Sequence, residues 1–323
     1  MIKKKFFIDK IFFGILMFLI SLIFLCFLIY IDQKFFYPVF FYSSLIIVVF
    51  FMFFASKEIL SLNKKNDNKN LIIDISIIFF CFIIFFYSFI VLTNFLENNN
   101  IILYSYKVKE SFLYKFSNFF YKNKYFLFYF LLYLFFFFLF FLFITNFETQ
   151  KFQNSFLIIL YIGFLSSCFF ILVNYHYKWF FYLFLITISN DSFAFFGGIL
   201  FGKKLLCPKI SPKKTWEGSI IGIIFSIILS LLFFLNYLFF LDFISNFYFI
   251  VFTFFNSIFA QIGDLIASKI KRDFNIKDFS NILPGHGGLL DRFDSILFLS
   301  FFIILFLFSP FENFKKIILI ILC

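Results

Sequence analysis

The sequence predicts an all-α, polytopic integral membrane protein with about nine transmembrane helices and its reactive loops gathered at the cytoplasmic face. Three observations carry that expectation. Of the 323 residues, 63% are hydrophobic and only 14% charged, a balance outside the soluble range. The apolar residues come in runs of roughly 20, the length a helix needs to cross a hydrocarbon core of about 30 Å. The basic residues lie mostly between the runs and recur on one side if successive runs alternate in direction.

The runs fall at approximately 11–30, 36–55, 71–96, 125–147, 152–173, 179–201, 218–241, 247–268 and 295–314. The first follows Lys3, Lys4, Lys5 and Lys10 like a signal-peptide n-region, but it is too long for an h-region and lacks a small-residue exit, so it reads as a retained span. With nine spans, one side receives the N-terminal lysines, the 56–70 loop, the 202–217 loop (Lys203, Lys204, Lys209, Lys213, Lys214) and the 269–294 loop (Lys269, Lys271, Arg272, Lys277, Arg292). That side is the cytoplasm by the positive-inside rule. The 97–124 connection goes against the pattern, because Lys107, Lys109, Lys115, Lys122 and Lys124 fall on the outer side.

The net charge of +11 is scattered over these loops, with no soluble domain to present it to nucleic acid; anionic lipid headgroups are its natural partner. The five cysteines (Cys26, Cys81, Cys168, Cys207, Cys323) form no C-x-x-C pair, and neither disulfide nor zinc is indicated. The spans themselves are nearly uniform, with 71 Phe in the chain, so the informative residues are those this uniformity leaves out. Only two of the 28 basic residues are Arg, Arg272 and Arg292, and nine of the 11 Gly lie between Gly197 and Gly288. This separates a low-information region, 1–174, from a candidate catalytic region, 175–323.

Three stretches of the second region carry chemistry. In "ISNDSFAFFGGILFGKK", Ile188 to Lys204, Asn190 and Asp191 interrupt an apolar span. A carboxylate there is costly and points to function, the alternative being an Asp bonded to helix backbone for packing. Gly197, Gly198 and Gly202 follow and permit close backbone approach. In "CPKISPKKTWEGSIIG", Ser211 before Pro212 has the form of an N-cap with proline at the first helical position. A helix N-terminus beside Lys213 and Lys214 makes a phosphate site, the competing reading being an ordinary cap with a positive-inside anchor.

The third stretch runs from Ala260 to Ser295. Asp264 lies near the end of a span, Lys271, Arg272, Lys277 and Asp278 follow it, and Asp291 and Asp294 share a helix face. Carboxylates beside Lys and Arg at a membrane surface suggest Mg²⁺ with a polyphosphate. Gly285, Gly287 and Gly288 around His286 would let backbone approach a ligand.

From Ser268 to Asp294, "SKIKRDFNIKDFSNILPGHGGLLDRFD" resembles the signature of the phosphatidate cytidylyltransferases, or CDP-diacylglycerol synthases. "DSFAFFGGILFGK" and "SPKKTWEG" resemble that family's preceding blocks; together the blocks cover about a third of the chain. Gly198 departs from the family by replacing a basic residue, a contact Lys203 could supply; Glu58 is the one matching feature of the N-terminal half.

The resemblance implies the reaction of CTP with phosphatidate to give CDP-diacylglycerol and pyrophosphate, in an inner (plasma) membrane with the site facing the cytoplasm. It assigns Mg²⁺ to Asp264 and Asp291 with Asp294 as a third ligand or supporting partner; Mn²⁺ could replace it, and a monovalent cation stays open. Lys213, Lys214 and Arg292 would hold phosphates, helped by Asp191, Lys203, Ser211, Thr215, Gly287 and Gly288. Arg272 and Lys277 would meet the lipid phosphate, and His286 would donate a hydrogen bond to phosphate. A homodimer is left open. The competing readings are a CTP-dependent polyprenol or phytol kinase and, in a different class, a transporter, which would predict repeated span patterns.

Overall fold

A computed structural model describes residues 39–63, 71–98, 155–235, 242–280 and 287–322. The expected spans at 11–30 and 125–147, and the connection at 99–124, lie outside the described residues. Helices α1 (Val39–Asn63) and α2 (Leu71–Asn98) are followed by a π-helical turn, Ile159–Phe164, that continues into α3 (Leu165–Tyr175). α4 (Tyr177–Phe201) leads into strands β1 (Leu205–Cys207) and β2 (Ser211–Thr215). α5 (Trp216–Phe233), α6 (Phe243–Asp273), α7 (Leu290–Leu307) and α8 (Glu312–Leu322) complete the order. Among the described residues six helices are long and apolar enough to cross a membrane: α1, α2, the Ser155–Tyr175 segment, α4, α5 and α6.

Three boundaries differ from expectation. The 202–217 segment is an antiparallel hairpin, so the described fold is helical with one small sheet. Pro208 stands at the second position of its turn, which Ile210 N–H closes on Cys207 O at 3.1 Å, an arrangement proline favours. Ser211 pairs with Cys207 and is therefore a strand residue, and Pro212 needs no N–H at the edge of a two-stranded sheet. The cap of α5 falls to Thr215, whose Oγ1 accepts from Gly218 N–H at 3.2 Å. The last expected span, 295–314, is divided: α7 starts at Leu290 and ends at Leu307, because Pro310 cannot continue the ladder, and α8 starts at Glu312.

The helices interlock by two means. Aromatic side chains fill the centre, where Tyr182 stacks on Phe252 at 5.8 Å and meets Trp179 edge-on at 6.0 Å. Hydrogen bonds between helices hold the register: Asn190 Nδ2 donates to Ser257 O (2.7 Å), Gln261 Nε2 to Asn190 Oδ1 (2.7 Å), and Asn256 Nδ2 to the Tyr182 hydroxyl (2.9 Å). In lipid such bonds supply attraction that greasy surfaces cannot. His176, between α3 and α4, caps α4 by accepting from Lys178 N–H at 3.3 Å. Burial, and then the Lys178 charge, push its imidazole down to about 4, so the accepting nitrogen keeps its lone pair at neutral pH.

α4 and α5 touch along glycines. A Cβ on Gly222 would lie 2.6 Å from Asn190 Oδ1, and one on Gly197 would lie 2.7 Å from Ile221 Cδ1. The close approach expected of this glycine set is thus made helix to helix. Gly222→Val is expected to destabilise the detergent-solubilised protein by about 1–3 kcal/mol through overpacking. Ile224→Val, at a half-exposed site on the same helix, should leave the thermal unfolding midpoint nearly unchanged.

Candidate active site

α4, the hairpin, α5 and α6 surround a cavity of about 280 Å³. Asp191 and Asp264 face it from α4 and α6; Ser211, Lys213, Lys214 and Thr215 come from β2, Ser219 from α5 and Gln261 from α6. Three of the stretches singled out in the sequence therefore meet on one wall. Lys214 Nζ is in close ionic contact with Asp264 Oδ2, and both are about a quarter exposed. Glu217, in the first turn of α5, accepts from the Lys203 and Lys204 N–H groups at 3.1 and 3.3 Å and pins the turn that leads into the hairpin.

The chain after α6 is organised by carboxylates. α6 ends in a Schellman motif: Ile276 N–H reaches Lys271 O (3.0 Å), Asn275 N–H reaches Arg272 O (2.9 Å), and Asn275 adopts φ of 54°. The returning chain delivers Phe279 N–H to Asp291 Oδ2 at 2.9 Å, and the same oxygen accepts Gly288 N–H at 2.9 Å. Lys271 Nζ holds Asp291 Oδ1 at 2.7 Å. One turn deeper, Glu58 of α1, 2% exposed, accepts from Ser280 Oγ (2.7 Å), Leu289 N–H (2.7 Å) and Leu290 N–H (3.0 Å). Glu58 and Asp291 each bond to chain on both sides of residues 281–286. Gly288 makes the fit possible, since a Cβ there would lie 2.8 Å from Glu58 Oε2, and Gly287 adopts φ of 82°.

The remaining expected residues distribute around this clamp. Asp294 is buried; its Oδ1 accepts from Ser295 N–H at 2.7 Å and its Oδ2 lies 4.0 Å from Lys271 Nζ. Arg292 is exposed on the first turn of α7. Arg272 spreads its guanidinium over two backbone carbonyls, Nε to Ile210 O (3.2 Å) and Nη1 to Ile276 O (2.9 Å), and so staples the hairpin turn to the end of α6. Lys277 is exposed on the segment after α6, and the Lys203 side chain is exposed beside the hairpin. His286 and Gly285 lie outside the described residues.

Sequence reasoning passed over Lys271, Gln261 and Tyr161. Lys271, 9% exposed and set between Asp291 and Asp294, looked like one more loop lysine. Gln261 lies three residues before Asp264, close to one turn away on the same helix, and that spacing was a usable signal. Tyr161, on the π-helical turn, is 6% exposed, and its hydroxyl has no hydrogen-bond partner among the described residues.

As they stand, no three His, Cys, Asp or Glu among the described residues are grouped to hold a metal ion. Mg²⁺ asks for less, one or two carboxylates completed by phosphate oxygens and water. Asp191 and Asp264 on the cavity wall meet that requirement, and the place beside Asp264 is already taken by a cation, the Lys214 ammonium. The donor set fits a hard divalent ion that arrives with phosphates.

The fold and the cavity together define a helical membrane protein whose spans enclose lysines and carboxylates in one polar site. Residues 10–309 match the Cytidylyltransferase family, and the chain belongs to it. It is similar to the phosphatidate cytidylyltransferase of Bacillus subtilis (strain 168), at 48% identity over 110 residues, 34% of this chain and 40% of that protein. The Rickettsia bellii (strain RML369-C) phosphatidate cytidylyltransferase is 46% identical over 120 residues, 34% and 48% of the two chains. The one from Staphylococcus haemolyticus (strain JCSC1435) is 50% identical over 109 residues, 33% and 40%. The chain thus aligns with two fifths to just under half the length of these relatives.

Glu58→Ala would strand three donors in a buried site, at a cost of about 3 kcal/mol or more. Hydrogen exchange at Leu289 and Leu290 should accelerate accordingly, with little change in the middle of α2.

Proposed function

We propose that the chain transfers the cytidylyl group of CTP to phosphatidate, giving CDP-diacylglycerol and pyrophosphate. The observation that carries this reading is the meeting of Lys213, Lys214, Ser211 and Thr215 with Asp191 and Asp264 around one cavity, in a chain of the cytidylyltransferase family. The reading sets the hairpin and the 274–294 segment toward the cytoplasm, where CTP is found, and the protein in the plasma membrane. The region 175–323 holds the nucleotide and lipid phosphates, with Glu58 as the contribution of 1–174.

The chemistry is one displacement at phosphorus. An anionic oxygen of phosphatidate forms a bond to the α-phosphorus of CTP while the bond from that phosphorus to the bridging oxygen breaks, and pyrophosphate leaves with the electron pair. No proton has to be removed from the attacking oxygen, so positioning and charge neutralisation supply the catalysis. Lys213 and Lys214 hold the triphosphate, and the hydroxyls of Ser211 and Thr215 donate to its oxygens. Lys214 exchanges Asp264 for phosphate when CTP arrives. Arg292, with a planar fork that binds two oxygens at once, grips the departing pyrophosphate. Lys277, and the His286 imidazole as a donor, serve phosphate at the same surface. Mg²⁺, or Mn²⁺ in its place, would be held by Asp264 with Asp191, and with Asp294 close behind, and would neutralise charge on the phosphates. Asp291, whose oxygens are taken by Lys271 and two backbone N–H groups, keeps this end of α7 in place.

Membranes that contain this chain should incorporate label from cytidine-labelled CTP into lipid only when phosphatidate is present. Label that enters a polyprenol or phytol fraction from γ-labelled CTP instead would replace this reading with a kinase. Asp264→Asn is expected to reduce turnover by roughly a hundred- to a thousandfold, and Arg292→Lys by roughly ten- to a thousandfold, the range for losing an oriented transition-state contact. Lys209→Cys in a background without the native cysteines should be labelled by an impermeant maleimide in inside-out vesicles and stay unlabelled in intact cells.

A further inference from the structure

A second cavity, of about 360 Å³, lies between α4 and α5. Its walls are almost entirely apolar: Phe180, Phe184, Ile188 and Phe193 of α4 and Leu229 and Phe233 of α5, with the small side chains of Ser189 and Ser192 leaving room between them. The Phe193 and Phe225 rings, stacked 4.2 Å apart, join the two helices beside it.

Three features tie this groove to the polar cavity. Phe184, Ile188, Asp191 and Phe195 follow at spacings of four, three and four, so one stripe of α4 lines the groove with its first two residues and the polar cavity with its last two. Phe184 also packs against Phe293 of α7, ring centroids 6.1 Å apart, which brings the residue next to Arg292 alongside the groove wall. Arg292, the residue before Phe293, is exposed, so positive charge stands beside the groove wall. From Phe193 to Phe180 the helix rises about 20 Å, long enough for an extended acyl chain to lie along it.

We propose that this groove seats a fatty acyl chain of the phosphatidate acceptor, with the lipid phosphate at the Arg292 and Asp191 end, next to the bound nucleotide. The proposal rests on the cytidylyl-transfer reading for the identity of the lipid. The groove sets the depth and direction of the acceptor. A chain drawn along α4 presents its phosphate toward the cavity, and the two serines leave the space that a Phe at either position would fill.

The test uses the full-length protein in phosphatidylcholine nanodiscs and phosphatidate with a diazirine along one acyl chain, in the absence of CTP. Irradiation should place adducts on peptides that contain residues 180–193 and 229–233, and excess phosphatidate should suppress them where the same excess of phosphatidylcholine does not. Leu229→Trp should raise the KM for dipalmitoyl phosphatidate relative to that for dihexanoyl phosphatidate by about tenfold, equivalent to about two buried methylenes. Adducts displaced equally by phosphatidylcholine would reduce the groove to a bulk-lipid contact and overturn the proposal. Adducts confined to other helices, or a disulfide dimer formed through Leu229→Cys that shows a second copy in the groove, would do the same. Because crosslinking needs no turnover, phosphatidate-selective adducts on a chain that fails to transfer label from CTP would retain the groove and refute the cytidylyl-transfer reading.

Discussion

A carboxylate buried away from water must be matched by donors, and the arrangement around the candidate site follows from how Glu58 and Asp291 meet that requirement. Each takes hydrogen bonds from chain before and after residues 281–286, Glu58 from Ser280, Leu289 and Leu290, Asp291 from Phe279 and Gly288. Backbone N–H groups at the start of α7, which otherwise have no partner within the helix, become the donors that satisfy the Glu58 oxygens. The entry of α7 into the bundle is thereby set, and with it the places of Asp291, Arg292 and Asp294. Lys271 completes the balance from α6. On the other side of the site Lys214 and Asp264 satisfy each other.

Much of the architecture was legible because the bilayer imposes a simple rule. Runs of apolar residues had to become helices, and the described helices α1 to α6 stand where those runs stand. The failures came at helix ends, where lipid no longer dictates. Ser-Pro at 211–212 has the look of a helix start, yet the hairpin turn at Pro208 consumes those residues as a strand and passes the cap to Thr215. Pro310 divides what hydropathy alone joins. Asp191, Lys213, Lys214 and Asp264 could be picked out by their chemistry, but that they surround one cavity depends on glycine-mediated contact of α4 with α5, which spacing does not reveal. The pairing of Glu58 with Leu290 bridges 232 positions and has no local signature.

The two arginines show where composition informs and where it misleads. Both positions use a planar, multi-donor group in a chain that otherwise relies on lysine. At Arg272 the structure gives the fork a mechanical task, since it joins the carbonyls of Ile210 and Ile276 and so ties hairpin to helix. A lysine could reach only one of them well. At Arg292 the side chain stands exposed on the first turn of α7. Scarcity marked both residues as special without saying which task either performs.

The contact between Glu58 and the start of α7 also has a consequence for how the protein is made. A ribosome releases α1 long before residues 280–290 exist, so the Glu58 carboxylate enters the bilayer region before any of its three donors has been synthesised. Until α7 arrives, that end of α1 lacks these three donors, and a polar group without partners is costly in hydrocarbon. Biogenesis therefore passes through an intermediate whose early helices are inserted but whose N-terminal half is not yet locked. The final closure is a late event in translation, set by the emergence of a segment more than two hundred residues downstream.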